Sequence, residues 1–161
     1  MKKYRDKGAI GALLDEYEKA IEELKVILNG ISDNDLVEIV DFKTEDEDCR
    51  SIQTVLTHVV RAGYTYAIEI RKWLGEETEY TNKELLDSIK EYNLALDKMF
   101  AYNEKLFKDY PSIKLEENET SKKMFVKWGQ YYDVEQLLEH AIVHILRHRR
   151  QIERFKIKLK K

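Results

Sequence analysis

Val134, Leu138, Ala141, Ile145, His148, Ile152, Phe155 and Leu159 step by four and three residues without a break. That period puts all of them on one stripe of an α-helix about seven turns long. Asp133, with Gln136 three residues later, supplies a capping-box start for it. A helix with one apolar stripe cannot bury that stripe alone, so the chain must supply partners of the same kind.

Three further stripes are present. Ile10, Leu13, Leu14, Tyr17, Ile21, Leu24, Ile27, Leu28 and Ile31 predict a first helix from about Ala9 to Asn29. Gly30 and the run Ser32-Asp33-Asn34-Asp35 break it, and an acidic run from Glu45 to Asp48 follows, so residues 30–50 read as mostly loop. Ser51 is an N-cap for a second helix with the stripe Ile52, Leu56, Val59, Gly63, Tyr66, Ile70, Trp73, ending at Gly75. Thr81 with Glu84 forms a capping box that predicts a third helix through Leu85, Ile89, Tyr92, Leu96, Met99, Asn103 and Leu106, stopped by Pro111. Residues 112–132 lack a helical period, and residues 124–129 read as extended chain or structured loop.

One proline and six glycines among 161 residues argue against a sandwich or barrel of short strands, so the expectation is all-α: a four-helix bundle, one domain over residues 1–161. A chain of this length buries roughly two thirds of its unfolded surface, enough for a core without disulfides or structural metal.

The formal charge of −3 offers no field for nucleic acid, and Lys156, Lys158, Lys160 and Lys161 form only a short basic tail. Residues 1–7 give a basic flank, but Asp15, Glu16 and Glu18 interrupt the apolar run that a signal peptide needs. No window approaches the roughly 18 apolar residues of a membrane span. Cys49 is the only cysteine, so no internal disulfide can form and the chain reads as cytosolic.

The four histidines fall on two of these helices, at 58, 140, 144 and 148. Four residues turn a helix by about 400°, so adjacent members of the 140/144/148 series lie one turn apart and two of them can clip one ion. His148 occupies a stripe position between Ile145 and Ile152, where an unpartnered imidazole costs free energy. With His58 beside Val59, the set points to a divalent metal centre with positions left open for water or substrate. If the second and fourth helices run parallel, His140 and His144 lie level with His58; if antiparallel, His148 comes closer. His140 alone reads better as a core histidine bonded to a neighbouring carbonyl or carboxylate.

Gln151, one turn beyond His148, could orient a ligand or a bound water as a donor behind it. Among Arg147, Arg149 and Arg150, one arginine could hold an anionic substrate group at the mouth of the site, although such runs are mostly solvated. Tyr64, Tyr66 and Trp128 could line a pocket, with core packing the better reading. Cys49 precedes the second helix, but the acids from Glu45 to Asp48 raise its pKa and make a nucleophilic role unfavourable.

The segment His140-Ala-Ile-Val-His144-Ile-Leu-Arg-His148-Arg149-Arg150-Gln151, with Val55-Leu56-Thr57-His58-Val59-Val60, resembles the signature of the DinB/YfiT-like metal-dependent enzyme superfamily over nearly the whole chain. The resemblance implies an up-and-down four-helix bundle, frequent homodimers, and nickel, zinc, iron or manganese bound by His58, His144 and His148. It leaves His140 outside the ligand set and puts Arg150 where the family often has glycine. Some relatives are transferases of a low-molecular-weight thiol such as bacillithiol, which implies a small-molecule substrate and S-transfer or a related hydrolysis. The alternative expectation is a non-catalytic stress-response or ligand-binding bundle acting as a dimer; a plain structural bundle with core histidines is a third.

Overall fold

Three of the four long helices begin where a side chain can accept an otherwise unpaired first-turn N–H. Ser51 accepts from Thr54 N at the start of α3 (Ile52–Trp73), Ser88 from Glu91 N at the start of α4 (Ile89–Asp109), and Asp133 from Gln136 N at the start of α5 (Val134–Leu159). Helix α1 (Gly8–Leu28) has no such cap. The computed structural model describes residues 4–160; residues 1–3 of the basic flank and Lys161 of the basic tail lie outside them. Between α1 and α3 lies the short α2 (Asp33–Val37), opened by a Ser32/Asp35 capping box and burying Leu36.

The stripes meet as the periodicity predicts. Leu24, Leu28, Leu56, Leu96, Leu106, Leu138, Ile145 and Ile152 all lie in one buried cluster fed by all four long helices. Each long helix packs against two others: α1 on α4 and α5, and α3 on α4 and α5. The protein is thus all-α apart from one small hairpin.

Helix directions follow from which residues meet. Thr57 pairs with Tyr92, Gly63 with Asn103 and Arg71 with Asp109, so α3 and α4 run the same way. Tyr17 meets Met99 and Lys25 meets Asp97, so α1 opposes α4. Glu23 meets Arg149 and Ile27 meets Lys156, so α1 and α5 run together. His58 lies against His144 and His148 while Tyr66 lies against His140, which makes α3 and α5 antiparallel. The order is therefore up, down, down, up.

This order explains why the third helix does not start at Thr81. Residues 74–88 must run back along α3, about 33 Å long, before α4 can begin beside the start of α3. An extended strap does this. It is tied down by Gln53 Nε2 donating to Leu86 O (3.0 Å), Thr57 Oγ1 donating to Glu84 O (3.3 Å), and Leu86 N donating to the Tyr92 hydroxyl (3.1 Å). Residues 76–88 contain no helix, and Leu85, expected on the buried stripe, is 51% exposed.

Two other irregular segments position site residues. A 3-10 turn at Glu47–Cys49 packs on α3. Residues 124–132 form an antiparallel hairpin pairing Met124 with Tyr132 and Phe125 with Tyr131; Gly129 takes a left-handed φ of 83° in its turn. Met124 and Val126 are buried while Phe125 is exposed, a two-residue alternation that no helical period could reveal. Among the described residues no helix is long and apolar enough to cross a membrane.

Candidate metal centre

The antiparallel packing of α3 and α5 brings His58 level with His144 and His148. His144 Nε2 lies 2.9 Å from His58 Nε2 and 3.1 Å from His148 Nε2. One ligand atom from each of the three lies within 4.8 Å of the others, a group that could hold a metal ion. Two nitrogens bound to the same ion at about 2.1 Å each are separated by about 3–3.4 Å, so the two spacings to His144 suit shared coordination, and the wider His58–His148 pair would draw in around an ion.

The outer nitrogens define where the hydrogens sit. His148 Nδ1 lies 2.8 Å from Gln151 Oε1, and an amide oxygen only accepts, so Nδ1 carries the hydrogen and Nε2 a lone pair. Asp48 Oδ2 lies 3.5 Å from His58 Nδ1, and its charge favours the same arrangement there. Gln151 thus acts as an acceptor behind His148, where the sequence suggests a donor. His144 Nδ1 is buried without a partner. With lone pairs on both neighbours, one hydrogen on His144 Nε2 can satisfy only one of them; a cation at the centre satisfies all three.

Charge is excluded from these rings. Burial drives the His144 pKa down to about 2, assisted by His148, His58 and Arg147. His148 falls to about 4, burial outweighing the bond to Gln151. His58 is lowered as well, by burial against the opposing pull of Asp48. All three are neutral at physiological pH, the form that ligates metal. Burial opposes ionisation of Asp48, but Lys83, 2.5 Å from its Oδ1, outweighs it and holds that carboxyl below its usual value.

His140 stands apart from the triad. Its Nδ1 is 3.2 Å from the Tyr132 hydroxyl, its ring stacks on Trp128, and its centroid is 6.4 Å from that of His144. With Tyr66 and Trp128 it walls a cavity of about 390 Å³ that reaches His58 and His144. Tyr66 is 4% exposed and Trp128 37%, so Tyr66 is core and Trp128 is cavity wall. Tyr64 pairs with Tyr102 away from the triad. Arg147 lines this cavity and also a groove of about 900 Å³ on the other side of His58. Arg150 lines only the groove, and Arg149 pairs with Glu23 of α1. Burial raises the Cys49 pKa, with Asp46 and Asp48 acting the same way, in keeping with an unreactive thiol.

Asp48 and Lys83 escape a sequence reading because Asp48 lies in a segment without helical period and Lys83 in one that looks like a helix start but runs as an extended strap. Only the fold carries them to His58. No curated protein matches the sequence. The family model of DinB matches residues 6–154, which covers both histidine-bearing helices and nearly the whole chain, and the chain therefore belongs to the DinB family.

Proposed function

We propose that this protein is a metal-dependent enzyme in which His58, His144 and His148 hold one divalent ion, nickel, zinc, iron or manganese. The observation that carries this reading is the convergence of three neutral imidazoles on one another, with the His148 Nδ1 hydrogen held outward by Gln151 and that of His58 drawn towards Asp48. A purely structural arrangement would leave one of the two lone pairs that face His144 Nε2, at 2.9 and 3.1 Å, without a hydrogen.

A divalent ion in this place supplies Lewis acidity, lowering the pKa of a thiol or water brought to it. The protein's own contribution is orientation and exclusion. Gln151 and Asp48 orient the rings, Tyr66 lies edge-on to His144, and Arg147 stands at the opening where negative charge would develop. We assign the reaction to the transfer of a low-molecular-weight thiol of the bacillithiol type, or a related hydrolysis. Support comes from the resemblance and from the absence of any activated cysteine in the site. The same reading makes the protein cytosolic, homodimeric and specific for a small molecule.

Elemental analysis of the purified protein beside His58→Ala and His148→Ala tests the centre. About one ion per chain, lost in both variants, is expected. No uptake even after zinc or nickel is added overturns it. Conjugation of a low-molecular-weight thiol to an electrophile, abolished by His148→Ala and by chelation, is the expected activity.

A further inference from the structure

The groove of about 900 Å³ beside the triad has a wall of unusual charge. Arg147, Arg150, Arg154 and Lys158 line it from α5, at steps of three and four residues that put them on one helix face about 16 Å long. His58 and His148 form its inner end. The chain as a whole carries −3, so this ladder is a local concentration and not a reflection of overall charge.

The two carboxylates of the groove, Asp41 and Asp46, offset only part of this charge against four cations. Arg149, on the neighbouring face, is paired with Glu23. Among the described residues no hydrogen bond or ion pair engages Arg147, Arg150 or Arg154. Asp41 and Asp46 also line the groove and keep their charges, but their oxygens are engaged within their own loop and pair with none of the arginines. Asp41 Oδ1 accepts from Lys43 N (2.9 Å) and Thr44 N (3.2 Å); Asp46 Oδ1 accepts from Asp48 N (2.9 Å), and its Oδ2 faces Cys49 Sγ (3.4 Å).

We propose that this groove binds the anionic end of a small-molecule substrate, a carboxylate or phosphate gripped by Arg150 and Arg154, and directs its other end past Arg147 to the three histidines. Guanidinium forks match the paired oxygens of such groups, and three of them without partners along one wall make a receptor for them. Arg150 and Arg154 lie about 3 and 9 Å beyond His148 along the helix axis, which sets the span between the anionic group and the reacting atom. The two cavities then divide the work: the arginine groove holds the anionic substrate, and the aromatic cavity of Trp128 and His140 faces the triad from the other side. The inference rests on the metal-centre reading only for the chemistry at the inner end, since the anion site itself requires no metal.

The test is an NMR titration of the full chain with succinate and, separately, with methyl phosphate, following arginine Nε–Hε and backbone amide signals. Saturable shifts confined to residues 147–158 and 41–49 are expected, with affinity falling about tenfold or more in R150A/R154A. R150K/R154K keeps the charge and loses the fork, so it should fall between. Saturation by one probe alone identifies the oxygen group the site prefers. Shifts that never saturate, that spread evenly over surface lysines, or that persist in R150A/R154A overturn the proposal. Zinc stoichiometry measured on the same samples separates the two readings. Intact anion binding without zinc uptake defeats only the metal centre, and zinc uptake without saturable anion binding defeats only the groove.

Discussion

An imidazole can turn its Nε2 lone pair inward only while its hydrogen stays on Nδ1, and Asp48 and Gln151 hold it there for His58 and His148. Asp48→Asn removes the charge and the partner of Lys83, and should weaken metal binding by about 10- to 100-fold. Competition against a chelator of known affinity reads this directly; an unchanged affinity would remove Asp48 from the centre. The same burial makes the metal-free protein acid-sensitive. His148 has an ordinary value of 6.5 and a folded value of about 4, so between these the unfolded chain binds a proton that the folded one refuses. Stability should be level above about pH 6.5 on this account and fall as the pH drops towards 4, with His144 and His58 adding in the same direction. Denaturant midpoints across that range check it, and His148→Ala should flatten part of the slope. Gln151 was legible in sequence because it sits three residues after His148 on the same helix. Asp48 was not, because its place beside His58 depends on how residues 30–50 fold back over α3.

Helix starts show how far local signals reach. Asp133 and Gln136, and Ser51, look like caps in sequence and are caps in the structure, because the helices they open begin where the chain arrives from a nearby end of the bundle. Thr81 and Glu84 look equally good, but α3 and α4 run the same way, so the connection must span the bundle in extended form before a helix can begin. Ser88, overlooked in the spacing, is the residue that accepts from Glu91 N. Ser88→Ala should therefore cost about 1 kcal/mol, whereas Thr81→Ala should stay within about 0.5 kcal/mol of the parent, both read from urea midpoints. The parallel pair also needs close contact at Gly63, where an added Cβ would stand 2.3 Å from Met99 Sδ. Met99 is fully buried and Asn103 Nδ2 donates to Gly63 O (3.0 Å), so neither helix can yield easily. Gly63→Ala should destabilise by about 1–3 kcal/mol by overpacking; a neutral result would mean that Met99 finds another rotamer in the core. Stripe membership of Gly63 was visible from its period, but the reason for a glycine there appears only with α4 in place.

At the scale of the whole molecule, helix direction decides which histidines can act together. Spacing alone allowed His144 to pair with His140 or with His148; α3 opposing α5 places His148 at the triad and His140 in the aromatic wall. Because the three nitrogens come from two helices, an ion held by them stabilises the folded arrangement over any chain in which those helices have separated. Zinc at about a hundred times its dissociation constant should add about 2.7 kcal/mol, which for a chain of this size raises the melting temperature by about 5–10 °C. His144→Leu separates this linkage from simple packing. Leucine removes a buried Nδ1 that has no partner, so the variant should melt no lower than the metal-free parent, yet it removes the central nitrogen of the triad and should lose the zinc-induced rise entirely. Melting curves of parent and variant, each with zinc and with a chelator, distinguish the possibilities. A parent that gains nothing from zinc leaves three histidines that serve only the core, whereas a gain confined to the parent ties the stability of the bundle to the ion that its two antiparallel helices share.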